Sequence, residues 1–143
     1  MIWNADLAER MFTVEEANAA LAEIAPLAEE MVERRRALLD AMAEMEELGR
    51  RIGGNGGGIS PQDVAGPQER ANREVAGIGR CIERITELGA QVKDIDQGLI
   101  DFPARRGDET VLLCWHVGED DIRYWHGLEE GFAGRKPLPL DDG

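Results

Sequence analysis

The sequence predicts an α+β protein: a long antiparallel helical hairpin followed by a small C-terminal antiparallel β-meander. Three observations carry this. Apolar residues recur at steps of three and four along residues 14–48 and again after residue 60. A glycine-rich run, Gly53 to Gly58, separates the two patterns. From Gly98 onward the helical spacing gives way to short apolar runs broken by turn residues. The chain has 143 residues, enough for one domain: a hairpin over 12–97, a meander and ordered loop over 98–137, and a frayed tail over 138–143.

The first helix has a clear start. Thr13 and Glu16 have capping-box spacing, and Phe12 before the cap is placed to staple onto the first turn. Val14, Ala17, Leu21, Ile24, Ala28, Met31, Leu38, Met42 and Met45 then form a 3.5-residue seam, the repeat of a coiled coil. Arg35 interrupts the seam, Pro26 is expected to kink it, and Gly49 is a plausible stop. Leu27, Val32, Leu39 and Leu48 widen the apolar stripe beyond what one neighbouring helix covers. Either the C-terminal segment or a second subunit must cover them, and a homodimer with a four-helix core is the expectation.

Residues 53–58, Gly-Gly-Asn-Gly-Gly-Gly, read as a flexible turn. A phosphate-cradling loop is the sharper reading, but the Lys-Ser/Thr of a P-loop is missing and a helix, not a strand, precedes it. The second helix opens with Ser60 as cap, Pro61 at the first helical position and Asp63 in the first turn. Its seam reads Val64, Ala71, Val75, Ile78, Ile82, Ile85, Val92 and Leu99, so the helix is expected to fill most of 61–97. Gly77, Gly79 and Gly89 weaken it and suggest close approach of a neighbour.

In the last third, Leu99 to Ala104 reads as extended and residues 105–108 as a turn. Thr110 to His116 reads as a strand, 117–120 as a turn, and Ile122 to His126 as strand-like, followed by an ordered loop over 131–137. Alternation puts Leu112, Cys114 and His116 on one face and Val111, Leu113 and Trp115 on the other.

With 29 acidic and 16 basic side chains, the net charge of −13 disfavours nucleic-acid backbones and anionic membranes. The basic run Arg34-Arg35-Arg36 is flanked by acids and reads as a solvated face. No apolar stretch has the length of a membrane span, and Met1 to Arg10 does not read as a secretory signal. Two cysteines, Cys81 and Cys114, are too few for a disulfide framework, so a cytoplasmic protein with reduced thiols is expected; a single Cys81–Cys114 bridge stays open.

Several segments resemble a known family: Gly98-Leu-Ile-Asp-Phe-Pro103, Leu113-Cys-Trp115, Gly118-Glu119, Tyr124-Trp-His126, and Gly131-Phe-Ala-Gly-Arg135 with Pro137. Together with Phe12-Thr-Val-Glu-Glu-Ala-Asn18, they are similar to the signature of the uncharacterised prokaryotic domain-of-unknown-function family 2203. The resemblance spans nearly the whole chain and implies no established activity. Where this chain has His116 the family pattern carries a basic residue, which leaves His126 the better candidate ligand.

Four functional readings follow. Cys114, His116, His126, Glu119 and Glu129 are competent metal ligands, and His126 and Glu129 share a face if that stretch is helical. The plainer alternative is a hydrogen-bonded histidine beside a buried cysteine. Cys114 as nucleophile with His126 as base, and Glu119 beside them, makes a candidate catalytic set; Cys114 as an ordinary mid-strand core residue opposes it. Trp115, Trp125, Tyr124 and Phe132 are able to line a ligand cleft in which Arg135 anchors an anion and Asp101 orients it. A mini-core with an Arg135–Asp101 or Arg135–Glu119 ion pair explains the same residues. Finally, the helices offer an assembly surface for a protein partner. The leading expectation is a binding or assembly protein whose site lies in the C-terminal module. The alternative is a small enzyme or a metal- or cofactor-binding protein using Cys114, Glu119, His126, Asp101 and Arg135.

Overall fold

The structure, a computed structural model, describes residues 10–54, 58 and 60–140. Helix α1 spans Val14–Gly54 and α2 spans Pro61–Glu87. Five strands follow: β1 Gln91–Asp94, β2 Leu99–Arg106, β3 Glu109–His116, β4 Tyr124–Gly127 and β5 Lys136–Pro137. They pair antiparallel in chain order, as a meander. The hairpin-plus-meander architecture is the predicted one. Positions 55–57 and 59 of the glycine-rich segment lie outside the described residues, as do residues 1–9 and 141–143. The flexible-turn and phosphate readings, the secretory-signal reading and the end of the predicted tail fall largely there.

The capping box forms as the spacing predicts. The Thr13 N–H donates to Glu16 Oε1 at 2.8 Å, and the Glu16 N–H donates to Thr13 Oγ1 at 3.0 Å. Thr13→Ala is expected to destabilise the fold by about 1 kcal/mol in urea unfolding. Phe12 staples onto the sheet: its ring meets Phe102 edge-on at 5.3 Å, and its N–H donates to the Pro103 carbonyl. Gly49 does not stop α1, which runs on to Gly54, because an exposed glycine costs only about 1 kcal/mol. The helix also continues through Pro26.

The buried seam of α1 runs through Ala17, Leu21, Ile24, Ala28, Met31, Leu38 and Ala41, with Met45 partly buried. It meets Pro67, Ala71, Ile78, Cys81 and Ile85 of α2. Three aliphatic residues of the predicted seams lie elsewhere: Met42, Val64 and Val75 are exposed, at 48%, 37% and 56%. Near them the inward positions are Ala41, Pro67 and Cys81, with Glu74 half-buried, residues whose polarity or small size hides the register. The basic run is only partly solvated. Arg34 reaches across to Glu74 at 2.9 Å and Arg35 pairs with Asp96 at 2.9 Å.

Gly77 makes room for that Arg34 side chain, since a Cβ there would lie 2.5 Å from its guanidinium carbon. Gly79 faces open space. Gly79→Ala is therefore expected to raise the unfolding free energy by up to about 1 kcal/mol through helix propensity. Gly77→Ala should gain nothing or lose stability, because Arg34 must leave Glu74. Thermal midpoints of the two variants check this ordering.

Helix α2 ends at Glu87, ten residues before its predicted limit. Gly89 at φ +99° turns the chain out of the helix. The apolar spacing at Val92 and Leu99 belongs to strands β1 and β2, whose alternation coincides locally with the helical repeat. The sheet thus starts at Gln91 rather than 98, and β2 extends through Arg105 and Arg106, leaving Gly107 and Asp108 as the turn. At the other end, Leu138 does not begin a loose tail: its N–H donates to the Arg123 carbonyl, and Leu138 and Leu140 pack on the core.

One sheet face, Ile100, Phe102, Ala104, Val111, Leu113, Trp115 and Trp125, joins the helical seams in a single core. The sheet covers Val32, one of the surplus apolar residues of α1, while Leu39 stays 45% exposed. Cys81 and Cys114 are both free and buried, so the bridge between them does not form. The described helices include none long and apolar enough to cross a membrane.

Candidate metal centre

The outer sheet face carries a different chemistry. Strand register sets Asp101 of β2 directly opposite Cys114 of β3, while His126 of β4 opposes Leu112, one pleat away. Period-2 alternation then sends Asp101, Cys114 and His126 to the face opposite Phe102, Leu113 and Trp125. An outer face is normally wet, yet these three residues are only 1–3% exposed. The chain folds back over them after β4. The Gly127 N–H donates to Glu130 Oε1, Phe132–Gly134 form a single 3-10 turn, and Leu128, Glu130, Gly131 and Phe132 line a cavity whose floor includes the three polar residues. Gly134 lets this loop pack closely on Glu130, since a Cβ there would lie a tight 3.0 Å from the Glu130 Cβ.

One ligand-competent atom from each of Asp101, Cys114 and His126 lies within 4.8 Å of the others. His126 Nε2 is 3.1 Å from Asp101 Oδ2, and its Nδ1 is 2.8 Å from the Gly127 carbonyl. A carbonyl only accepts, so Nδ1 carries a proton and donates it. Two bare acceptors would repel at 3.1 Å, so a second proton lies between Nε2 and Oδ2. Burial pushes the Asp101 carboxyl up, against the pull of His126. Burial also pushes the Cys114 thiol up, to about 12, with the Asp101 charge adding to it.

This arrangement fits a thiol nucleophile poorly. A general base must reach the thiol with a free nitrogen, but one nitrogen of His126 faces Asp101 and the other is held by a backbone carbonyl. A thiol titrating near 12 is almost wholly protonated at neutral pH. The metal-free protein is expected to resist alkylation at Cys114 at pH 8, at least about a thousandfold more slowly than a free thiol. Mass spectrometry after iodoacetamide treatment checks this.

The same arrangement suits a metal ion well. Sulfur, imidazole nitrogen and carboxylate oxygen form a donor set for zinc and its neighbours. In a tetrahedral site with bonds of about 2.0–2.3 Å, donor atoms stand roughly 3.5 Å apart. The 3.1 Å Asp101–His126 contact is within a few tenths of that spacing. The Nδ1–H donation to the Gly127 carbonyl is the second contact that fixes the tautomer of a metal-binding histidine.

Beside the cluster, Arg135 Nη2 donates to Glu119 Oε2 at 2.7 Å, and its guanidinium lies over the rings of Tyr124 at 3.9 Å and Phe132 at 4.5 Å. Glu119 Oε1 in turn accepts the His116 N–H. These contacts pin the covering loop to the β3–β4 turn.

Residues 10–138 match the family model described as "Uncharacterized conserved protein (DUF2203)". The chain belongs to this family. No curated protein and no solved structure matches it.

In this family member the residues singled out from the sequence fall into three groups. Asp101, Cys114 and His126 converge. Glu119 and Arg135 pair with each other next to them, the Arg135 charge easing and the Glu119 charge opposing ionisation of Cys114. Trp115 and Trp125 do not share a cleft with Tyr124. Alternation puts both on the helix side: Trp115 turns into the core, its indole N–H donating to the Glu119 carbonyl, while Trp125 packs there and also lines an outer cleft between Arg106 and Lys136. His116 stands apart at the strand end, its Nδ1 against the Val117 carbonyl. Glu129 does not share a face with His126, since residues 128–129 form a turn rather than a helix. Lys93, Leu99 and Leu112 also line the cavity. Helical spacing through Val92 disguises Lys93 as part of α2, and nothing else in the sequence marks it.

Proposed function

We propose that this protein binds one transition-metal ion of the zinc type, through Asp101 Oδ2, Cys114 Sγ and His126 Nε2, beneath the loop that follows β4. The observation carrying the reading is the burial of three different donor atoms within 4.8 Å of one another, beneath the loop that covers the outer sheet face. A buried acid with a raised pKa beside a buried thiol is costly to the metal-free fold, and metal binding offsets that cost. The competing account is a purely structural network in which the Cys114 thiol and His126 both hydrogen-bond to Asp101, and metal uptake separates the two.

Zinc titration of chelator-treated protein tests the reading. One zinc per 15.8 kDa chain, with a higher thermal midpoint at saturation, is expected. A midpoint unchanged by zinc would contradict it. We further propose a cytoplasmic setting that keeps the thiols reduced, and a homodimer using the exposed Leu39 and Met42, one helical turn apart on α1. A solution mass of one chain would overturn the dimer without touching the metal site.

A further inference from the structure

We propose that the fourth coordination position of this site takes a small organic monoanion, a short-chain carboxylate, which enters past Lys93. The inference rests on the metal site proposed above. Three protein ligands leave a tetrahedral ion one position short, the pattern of sites that bind an exchangeable ligand. Asp101, Cys114 and His126 all lie along one cavity of about 160 Å³. That volume is close to that of an engineered cavity that holds benzene, so it suits a ligand of about six heavy atoms.

The walls of the cavity fix the character of the ligand. Leu99, Leu112, Leu128 and Phe132 give an apolar lining for a short hydrocarbon tail. Lys93 also lines the cavity, is exposed, and makes no ion pair with any described residue, while its charge reaches Asp101. Glu130, the other charged wall residue, is neutralised by Lys136 at 2.6 Å. The charges select the sign of the ligand. A divalent ion with one carboxylate and one thiolate is neutral, so Lys93 leaves the loaded cavity with one positive charge. A monoanion balances it, with the carboxylate on the metal and the tail against the leucines. A cationic amine meets repulsion from Lys93, and a long fatty acid exceeds the cavity.

Cobalt(II)-loaded protein provides the test, because its visible bands report the coordination sphere. Sodium butyrate is expected to change those bands saturably, and butylamine is not. Lys93→Met is expected to retain cobalt and to weaken butyrate binding by about tenfold. Cobalt bands that do not respond to butyrate would overturn this inference and leave the metal site standing. Equal butyrate affinity in wild type and Lys93→Met would overturn the role of Lys93. Failure to form cobalt–thiolate bands at all would overturn both the site and its ligand.

Discussion

His126→Ala is expected to lower zinc affinity by more than about a hundredfold, measured by competition with a chromophoric chelator. Loss of a contact that merely orients a ligand costs about 10–100-fold, and loss of the ligand itself must cost more. Cys114→Ser should show a comparable loss. Asp101→Asn separates metal binding from folding. It removes a ligand charge, so affinity should fall, yet it also removes a buried carboxyl whose pKa is raised chiefly by burial. The sign follows from linkage. A carboxyl that holds its proton more tightly when folded stabilises the fold below the ordinary carboxylate range, and that contribution is lost as pH rises through the folded value. The stability of Asp101→Asn relative to wild type, both metal-free, should therefore improve as pH is raised from about 4 to 7. Urea unfolding across that range checks it, and a variant that loses ground with rising pH would contradict the burial account.

Zinc binding also has a pH dependence of definite sign. The ion displaces the Cys114 thiol proton, held up to about 12, and the proton shared by Asp101 and His126. Affinity should rise with pH, with about two protons released per zinc at neutral pH. Calorimetry in buffers of different ionisation enthalpy counts them.

The largest effect on stability is expected at the opposite sheet face. Phe102 is fully buried, edge-on to Phe12, where the entry to α1 crosses the sheet. Phe102→Ala should cost about 3–5 kcal/mol from lost burial and the cavity left behind. Typical domains have about 5–15 kcal/mol in total, so the urea midpoint should drop steeply. The variant also loses the anchor for Phe12, and with it part of the support for the α1 cap. If Phe102→Ala proved as mild as a surface change, the single core shared by helices and sheet would be wrong.

These two faces also mark how far the sequence could be read. Heptad spacing, the Thr13–Glu16 box and the glycine-rich run determine the hairpin by local chemistry, so they are legible directly. The end of α2 is not. Val92 and Leu99 continue the apolar spacing, and only the left-handed backbone of Gly89 shows that the helix has stopped. The buried Ala41 and the half-buried Glu74 are hidden for a related reason, because hydropathy ranks the neighbouring Met42 and Val75 above them.

At the site, residue type pointed to the Cys114–His126 segment and to Asp101, but their convergence depends on strand register. Asp101 meets Cys114 only because β2 and β3 pair around the Gly107 turn as they do. One residue of slip would turn Asp101 into the core and Phe102 to the outer face. The same alternation turns Trp115 and Trp125 away from the face that carries Asp101, Cys114 and His126. Lys93 was hidden with the strand that carries it.

X-ray absorption by the zinc-loaded protein tests the metal centre most directly. The account predicts one sulfur at about 2.3 Å and nitrogen or oxygen donors at about 2.0–2.1 Å, with the sulfur shell lost in Cys114→Ser. A shell of nitrogen and oxygen alone in the wild-type protein would leave Cys114 a buried core thiol and contradict the site.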